Sequence, residues 1–429
     1  MRSVRPVAGS GRERWGANRL GRMTLTNWAG NIAFGAARVH RPSTVDQVRA
    51  VVAGARRVRV LGSGHSFNDI ADTPADLVSV AGLPVAPRID PVAGTVTVAG
   101  GVRYGELAAH LDAQGYALHN LGSLPHISVA GAVATATHGS GAALGNLATA
   151  VEGIELVTAG GDLVRLARGD AGFPGAVVSL GALGVVVGIT LAVRPSYTIR
   201  QFVFEDLPRS VLDERWEQIA GAGYSVSLFT RWAGDTVDQL WLKLADGQEP
   251  DGFGAAPAGR AMHPIAAMPA ESCTEQGGVP GPWHRRLPHF KLDFTPSSGE
   301  ELQSEFFVAR ADAVEAFAAV ERVRHLVTPV LQISEIRTVA ADDLWLSPHH
   351  GRDSVALHFT WIKDEARVLP VVAALEESLA HLAPRPHWGK VFHHAARPER
   401  LTDFVALRDR LDPERKFSNT FVERHLTGS

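Results

Sequence analysis

The residues best equipped for chemistry fall into three groups. In the first, Val58-Arg59-Val60-Leu61 reads as a buried strand. It stops at Gly62-Ser63-Gly64, and His65, Ser66, Phe67 and Asn68 follow at once. Glycines let a backbone turn sharply and approach a ligand closely. The amides freed by such a turn can point one way and form an anion-binding nest suited to a phosphate. His65 would then hold an imidazole beside whatever carries that phosphate. The same residues also fit a plain strand-to-loop turn with an exposed histidine, because short glycine motifs occur without ligands. In the second group, alternation over Leu331–Val339 puts Glu335 and Arg337 on one strand face with Leu331, Ile333 and Val339. Opposite charges on an apolar strand face are costly to bury unless paired or used. Over residues 355–362 the same rule puts His358 and Thr360 together, opposite Leu357, Phe359 and Trp361. Lys390 follows a Pro/Trp-rich bend at 384–388. A structural ion pair plus a core histidine accounts for these residues as well as a catalytic cleft does.

The third group is Ser123-Leu124-Pro125-His126-Ile127-Ser128-Val129-Ala130-Gly131, running on through Thr135, Thr137, His138 and Gly139. Small residues and hydroxyls dominate it. Such a segment can lie flat against a ligand and donate hydrogen bonds, or it can be a tightly packed small-residue core. Metal chemistry has a weaker claim. His349, His350, His387, His393 and His394 are close in sequence, but none shows a zinc-ligand spacing on an expected helix.

The elements that must position these groups come next. Ser43 and Thr44 are candidate helix caps, with Gln47 three residues after Thr44 as in a capping box. Val45, Val48, Val51 and Val52 form one helical face that Gly54 ends. Residues 95–98 read as a short strand, 106–114 as a helix, 156–166 as a hairpin turning at Gly160-Gly161-Asp162, and 185–193 as a buried strand. Strands then recur at 225–232 and 240–244. A Pro/Gly-rich stretch at about 246–298 has little periodicity. A loop that long in a compact protein usually serves function. Residues 311–326 form an amphipathic helix. Short strands and helices alternate, so the class is α+β or α/β. The first 22 residues are rich in Arg and Gly, lack a signal-peptide core and read as a disordered extension.

Composition narrows the partners. The chain has 429 residues, enough for two domains. It carries 42 Lys+Arg against 45 Asp+Glu and no basic-aromatic stripe, so nucleic acid is not an expected partner. No apolar run reaches the length of a membrane span. The one cysteine, Cys273, can form no internal disulfide, so a reducing, cytoplasmic setting is expected, with a monomer as the default state.

Taken with Gly181-Ala182-Leu183-Gly184-Val185-Val186, the glycine-turn-His motif and the 123–139 stretch resemble the FAD-binding domain of the vanillyl-alcohol-oxidase-type flavoproteins. Four further segments are similar to the alditol oxidase branch of that family. They are Thr26-Asn27-Trp28-Ala29-Gly30-Asn31, the SLPHISVAG run from Ser123, the EIRTVAAD run from Glu335 and the RPHWGKVF run from Arg385. The likeness runs from about Met23 onward. It implies an α+β, two-domain fold of the PCMH type: an FAD-binding domain over 23–197, a substrate (cap) domain over 198–385, and a tail over 386–429 returning to the FAD domain.

The resemblance also implies roles. FAD would be bound covalently through His65. Leu61, Gly62, Ser63, Gly64, Ser66, Asn68, Gly122, Ser123, Ser128, Gly131, Thr135, Thr137, His138 and Val186 would make up the rest of its site. Ser123, Glu335, Arg337, His358, Thr360 and Lys390 would bind a polyol. Glu335, Arg337, His358 and Lys390 are the catalytic candidates, the proton acceptor among them being open. Gly122 would lie near the flavin's oxygen-reactive edge and leave room for dioxygen; a packing glycine is the plainer reading. Leu121-Gly122 departs from the Met-Ala expected there. The implied reaction is oxidation of a terminal alditol hydroxyl (xylitol, sorbitol) to the aldose, with dioxygen reduced to hydrogen peroxide. A sugar-lactone oxidase or dehydrogenase on the same fold, a metal-dependent hydrolase and a non-catalytic sugar-binding protein are the rivals.

Overall fold

The structure is a computed structural model and describes residues 14–17, 23–84, 86–294 and 299–427. Most of the expected N-terminal extension, residues 1–13 and 18–22, lies outside the described residues. Arg14–Ala17 departs from that expectation, because it pairs antiparallel with Met23–Thr26.

Helix Val45–Gly54 begins where Thr44 accepts the Gln47 N–H at 3.2 Å. The Gln47 side chain closes the box one residue early, accepting the Ser43 N–H at 2.8 Å. Val48 and Val52 bury against Val58, Val78 and Val80. Those belong to, or directly follow, a parallel sheet in the order Arg38–His40, Asp76–Ser79, Val58–Leu61. A five-stranded antiparallel sheet stands beside it, ordered Leu163–Ala167, Val151–Val157, Val185–Ala192, Thr95–Ala99, Arg88–Asp90. Its first two strands form the expected hairpin. Gly161 sits at φ +82°, a conformation that glycine adopts without strain.

The second half is built on one large antiparallel sheet. Its central order is Thr198–Pro208, Thr236–Ala245, Ser225–Thr230, Leu331–Val339, Ser354–Ile362, Glu301–Ala309. Helices Arg209–Ala220, Ala313–Arg322 and Glu365–Leu379 cover one face. Leu302, Phe306, Leu357, Phe359 and Trp361 pack there with Trp216, Phe317, Val368 and Val372. The alternation of side chains then sends Gln303, Glu305, Glu335, Arg337, His358 and Thr360 to the other face. Register lines up Phe229, Glu335, His358 and Glu305 as one row across four strands.

The C-terminal segment packs on the first half. The Val58 N–H donates to Lys416 O at 2.9 Å, and Phe417 sits in the Val48–Val58 cluster. Arg59 joins these parts. It is 2% exposed and donates to the carbonyls of Ile70, Leu180 (2.8 Å), Gly181 (3.0 Å) and Phe417 (2.6 Å). Burial pulls its pKa down to about 10, against the opposing pull of Asp69. Replacing it takes the donor from the carbonyls of Leu180, Gly181 and Phe417, and leaves Ile70 O with Asn419 Nδ2 alone (3.2 Å). Arg59→Met is therefore expected to lower the unfolding free energy by at least about 3 kcal/mol, measured by urea denaturation; a change under about 1 kcal/mol would contradict this account.

Candidate active site

A single elongated cavity runs from the glycine turn to the polar face of the large sheet. At one end, Gly62, Ser63 and Gly64 form its wall. Gly64 takes φ +69°. A Cβ on Gly62 would fall 2.6 Å from Ser128 Oγ, so only glycine leaves room for that hydroxyl. Ser128 is the one residue of the expected FAD set that does not line the cavity. It stands one layer behind. Its Oγ accepts from the Ser63 N–H (3.3 Å), and its own N–H donates to Ser63 Oγ (3.2 Å). It braces the turn that carries Gly62 and Gly64. Leu61, His65, Ser66, Asn68, Gly122, Ser123, Gly131, Thr135, Thr137, His138 and Val186 all face the cavity. The His65 ring stacks on Trp28, with centroids 5.2 Å apart and planes 21° from parallel.

Gly122 is not required by its backbone or by packing. A Cβ there would meet only ordinary contacts, at 3.6 Å from His138 O and beyond. The space beside it is therefore a property of the missing side chain.

At the other end, Glu335, Arg337, His358, Thr360 and Lys390 come together as expected. Their organiser is a residue the sequence reading passed over. Glu305, 1% exposed, accepts from Arg337 Nη2 at 2.6 Å and from Lys390 Nζ at 2.7 Å. The His138 ring comes within 3.3 Å of the same carboxylate. Burial opposes its ionisation, but Lys390, His138 and Arg337 outweigh this and hold it well below the ordinary carboxylate range. Glu335 is likewise held low against burial, chiefly by Arg337 and then His289. The same two carboxylates raise Arg337 against burial.

Histidine states follow from their partners. Lys390 Nζ lies 2.7 Å from His358 Nδ1, and His358 Nε2 lies 3.1 Å from Thr360 Oγ1. An ammonium has no acceptor, so Nδ1 accepts and the ring proton sits on Nε2, aimed at Thr360. Burial, reinforced by Lys390, keeps this ring neutral. Arg337 also reaches across to Ser123 Oγ (3.2 Å), tying the small-residue stretch to the sheet.

Four further residues escaped the sequence reading: Gln303, His289, Phe229 and Lys243. Gln303 and Glu305 alternate with Leu302, Ser304 and Phe306 in Glu301–Ala309, which was a legible signal. His289 and Phe290, with His263, Pro264 and Ile265, come from the Pro/Gly-rich stretch and line the cavity. That stretch covers the site, as its length suggested. His349 and His387 are buried close to His138, with ring centroids 5.7 and 6.1 Å from it. Among the described residues, no group of three or more His, Cys, Asp or Glu is placed to hold a metal ion. His393 and His394 instead gather on Glu376. Cys273 is buried, and burial pushes its thiol up to about 12, so it stays protonated. No helix among the described residues is long and apolar enough to cross a membrane.

A family described as an FAD binding domain matches residues 36–167, and one described as D-arabinono-1,4-lactone oxidase matches residues 303–425. The alditol oxidase of a Streptomyces species is 55% identical over 413 residues, covering 94% of this chain and 99% of that protein. The chain belongs to the vanillyl-alcohol-oxidase-type FAD flavoproteins, in their alditol oxidase branch. The L-gulono-1,4-lactone dehydrogenase of Mycobacterium tuberculosis is more distant, 31% identical over 94% of this chain and 98% of its own. Among solved structures, a cholesterol oxidase from B. sterolicum superposes with a TM-score of 0.75 at 14% identity, covering 94% of this chain and 96% of its own. A xylooligosaccharide oxidase from Myceliophthora thermophila gives 0.72 at 13%, covering 94% of each. Both share the fold.

FAD is the cofactor of this family fold, and the residues present suit it. A glycine turn offers backbone donors at one end of the cavity, and small residues and hydroxyls flank its length. The buried histidines have a consequence for stability. Burial lowers the pKa of His138, His289, His349, His358 and His387 in the folded protein, while the unfolded chain takes up these protons near pH 6.5. Stability present above about pH 6.5 is then lost as pH falls, with a slope of up to about 1.4 kcal/mol per pH unit for each histidine. Unfolding free energies measured between about pH 7 and pH 5.5 are expected to fall with a slope of several protons. A flat profile would contradict the neutral, buried assignment.

Proposed function

We propose that the protein oxidises the terminal hydroxyl of an alditol such as xylitol or sorbitol to the aldose. The observation that carries this reading is the row of fixed donors and acceptors at the cavity end. Arg337, Lys390, Glu335, Thr360 and Ser123 stand on rigid strands or adjoining backbone, all facing one space. A chain of hydroxyls needs such a series, and a site built to bind hydroxyls rejects analogues lacking them. The 55% identity to an alditol oxidase over nearly the whole chain supports the same substrate class.

Glu335 is ionised and can only accept, so it takes a hydrogen bond from a substrate hydroxyl and orients the reacting carbon. Arg337 and Lys390 supply positive charge where the hydroxyl oxygen becomes negative as its proton leaves. Glu305 holds both cations in place without facing the hydroxyl with a free charge. His358 receives a proton only if Lys390 releases its Nδ1, which makes Lys390 the pivot between binding and proton transfer. Bound FAD would supply the hydride acceptor for the carbinol carbon and the route of its electrons to dioxygen, releasing hydrogen peroxide.

His65 is proposed as the covalent attachment point of FAD, through the methyl of the benzenoid ring. Its place directly after the glycine turn, with its ring stacked on Trp28, supports this. Ser63, Gly64 and Ser66 are assigned to the pyrophosphate, and Gly122 to the access of dioxygen. The FAD-binding part is assigned to 23–197, the cap to 198–385, and the tail to 386–429. A cytoplasmic location and a monomer are proposed as defaults, the former because the single cysteine, Cys273, can form no internal disulfide.

Two experiments test the reading. Acid-precipitated protein is expected to keep its yellow colour in the pellet, and His65→Ala to release it to the supernatant; colour released by both would overturn the covalent assignment. Lys390→Met is expected to lower kcat/KM for xylitol by about 10²–10³-fold, the cost of removing one preorganised charged donor. Peroxide release from xylitol is the assay, and a wild-type protein that releases none from any alditol would overturn the substrate class.

A further inference from the structure

Lys243 is the most deeply buried cation outside the substrate row. It is 1% exposed and sits in Thr236–Ala245, between Leu242 and Leu244. No carboxylate touches it. Its Nζ has three partners: Leu287 O, Pro288 O (3.3 Å) and His289 Nδ1 (3.1 Å). An ammonium has three protons and no lone pair, so all three partners must accept. The lone pair of His289 therefore lies on Nδ1. Its ring proton must lie on Nε2, which stands 2.7 Å from Glu335 Oε1. The other Glu335 oxygen faces Arg337 Nε at 3.5 Å.

The ring has no freedom to evade this. Phe229 and Trp241 pack edge-on against it, with centroids 5.4 and 5.3 Å away. Its pKa is pushed down to about 4 by burial and by Lys243, against Glu335. Burial pulls the Lys243 ammonium down to about 7, with Glu335 opposing, so the ammonium geometry holds on the acid side of neutrality. The charged and titratable groups facing Lys243 are His289, Glu335, Arg337 and Cys273, and those facing His289 are Lys243, Glu335 and Arg337.

We propose that Lys243 is a positioning residue for the oxidation: by fixing the tautomer of His289, it directs the Nε2 proton to Glu335 and holds that carboxylate as an oriented acceptor for a substrate hydroxyl. Lys243 never meets substrate. Its effect on Glu335 passes through one imidazole, as outer partners orient the ligands of a metal site. Without it, His289 Nδ1 can bind a proton of its own. The ring then either turns its lone pair toward a carboxylate or becomes a titrating imidazolium. The substrate role assigned to Glu335 rests on the alditol reading above; the tautomer does not.

The test uses the full-length, FAD-loaded protein labelled with ¹⁵N-histidine, the His289 signal being assigned by its loss in His289→Gln. Wild-type His289 is expected to be the neutral Nε2–H tautomer at about pH 6, where Lys243 is an ammonium, and to take up no second ring proton between about pH 9 and 6. An Nδ1–H form at about pH 6, or a ring that becomes imidazolium in that range, would overturn the proposal without any variant. In Lys243→Met the signal is expected to titrate within the range. Kinetics with xylitol, expressed per bound flavin, are expected to show about a 10-fold or greater loss of kcat/KM, with a higher KM and a pH dependence absent from the wild type. Gln at 289 retains a donor but has no tautomer. In that background Lys243→Met should change kcat/KM by less than about 2-fold. Equal losses in both backgrounds, with an unchanged His289 signal, would reduce Lys243 to a strap for residues 287–289. A wild type inactive on alditols but with the expected His289 signal would sink the substrate class and leave the tautomer control standing.

Discussion

One buried carboxylate sets the terms for the rest of the site. Glu305 takes Arg337 on one oxygen and Lys390 on the other. Ions so deeply buried are tolerated only when each finds a partner with good geometry. Without this counter-charge Lys390 would lose its main carboxylate partner, and Arg337 would be left with Glu335 alone. The three residues come from three separate parts of the chain. Only a sheet in fixed register, closed by the backbone bond from the His387 N–H to Glu305 O (3.0 Å), brings them together. The apolar face under the helices and the charged face over the cavity are thus two sides of one requirement. The hydrophobic side holds the strands rigid enough for the ionic side to be satisfied.

Much of this was legible in the sequence because it is local. The strand at 58–61, its glycine turn and His65 are contiguous. The period-two alternation in Leu331–Val339 and in the following strand put Glu335 with Arg337 and His358 with Thr360. What alternation cannot give is which strand lies beside which. Glu305 sat in a strand with the same alternating signal, but nothing within 301–309 says that its neighbour carries His358. His289 and Lys243 were harder still. His289 lies in a stretch without periodicity, and Lys243 reads as one polar interruption in an apolar strand. Ser128 is a hydroxyl in a ligand-like stretch whose own bonds go to Ser63 of the glycine turn, one layer behind the cavity lining. Resemblance carried the fold and the roles further than residue patterns could.

The two solved relatives share the fold at 13–14% identity. In this chain the cavity face of the large sheet carries two carboxylates, Glu305 and Glu335, with Arg337 between them and a His358 ring kept neutral by burial. Lys390 joins the series from the segment that follows. Such a series is stiff. A histidine that holds one proton between two fixed charges has a defined direction, and the hydrogen bonds of the site inherit it.

The turn that carries His65 is sewn to the bend that carries Lys390, just after strand Arg385–Pro386. The Phe67 N–H donates to Gly389 O (2.8 Å), and Asn68 Nδ2 donates to Trp388 O and Lys390 O (2.8 Å each). These bonds join residues some 320 apart in sequence, one backbone to backbone and two from the Asn68 side chain. The segment that carries Lys390 is thus held by the glycine turn on one side and, through the His387 and Val391 N–H groups, by the large sheet on the other. For anyone building chimeras, the seam is not where the linear sequence suggests. A cap exchanged at its apparent ends would arrive with its own carboxylates and arginine, yet meet the lysine of its host. Recombination that respects the seam must move residues 387–391 with the turn, and choose a guest whose acid already matches that lysine.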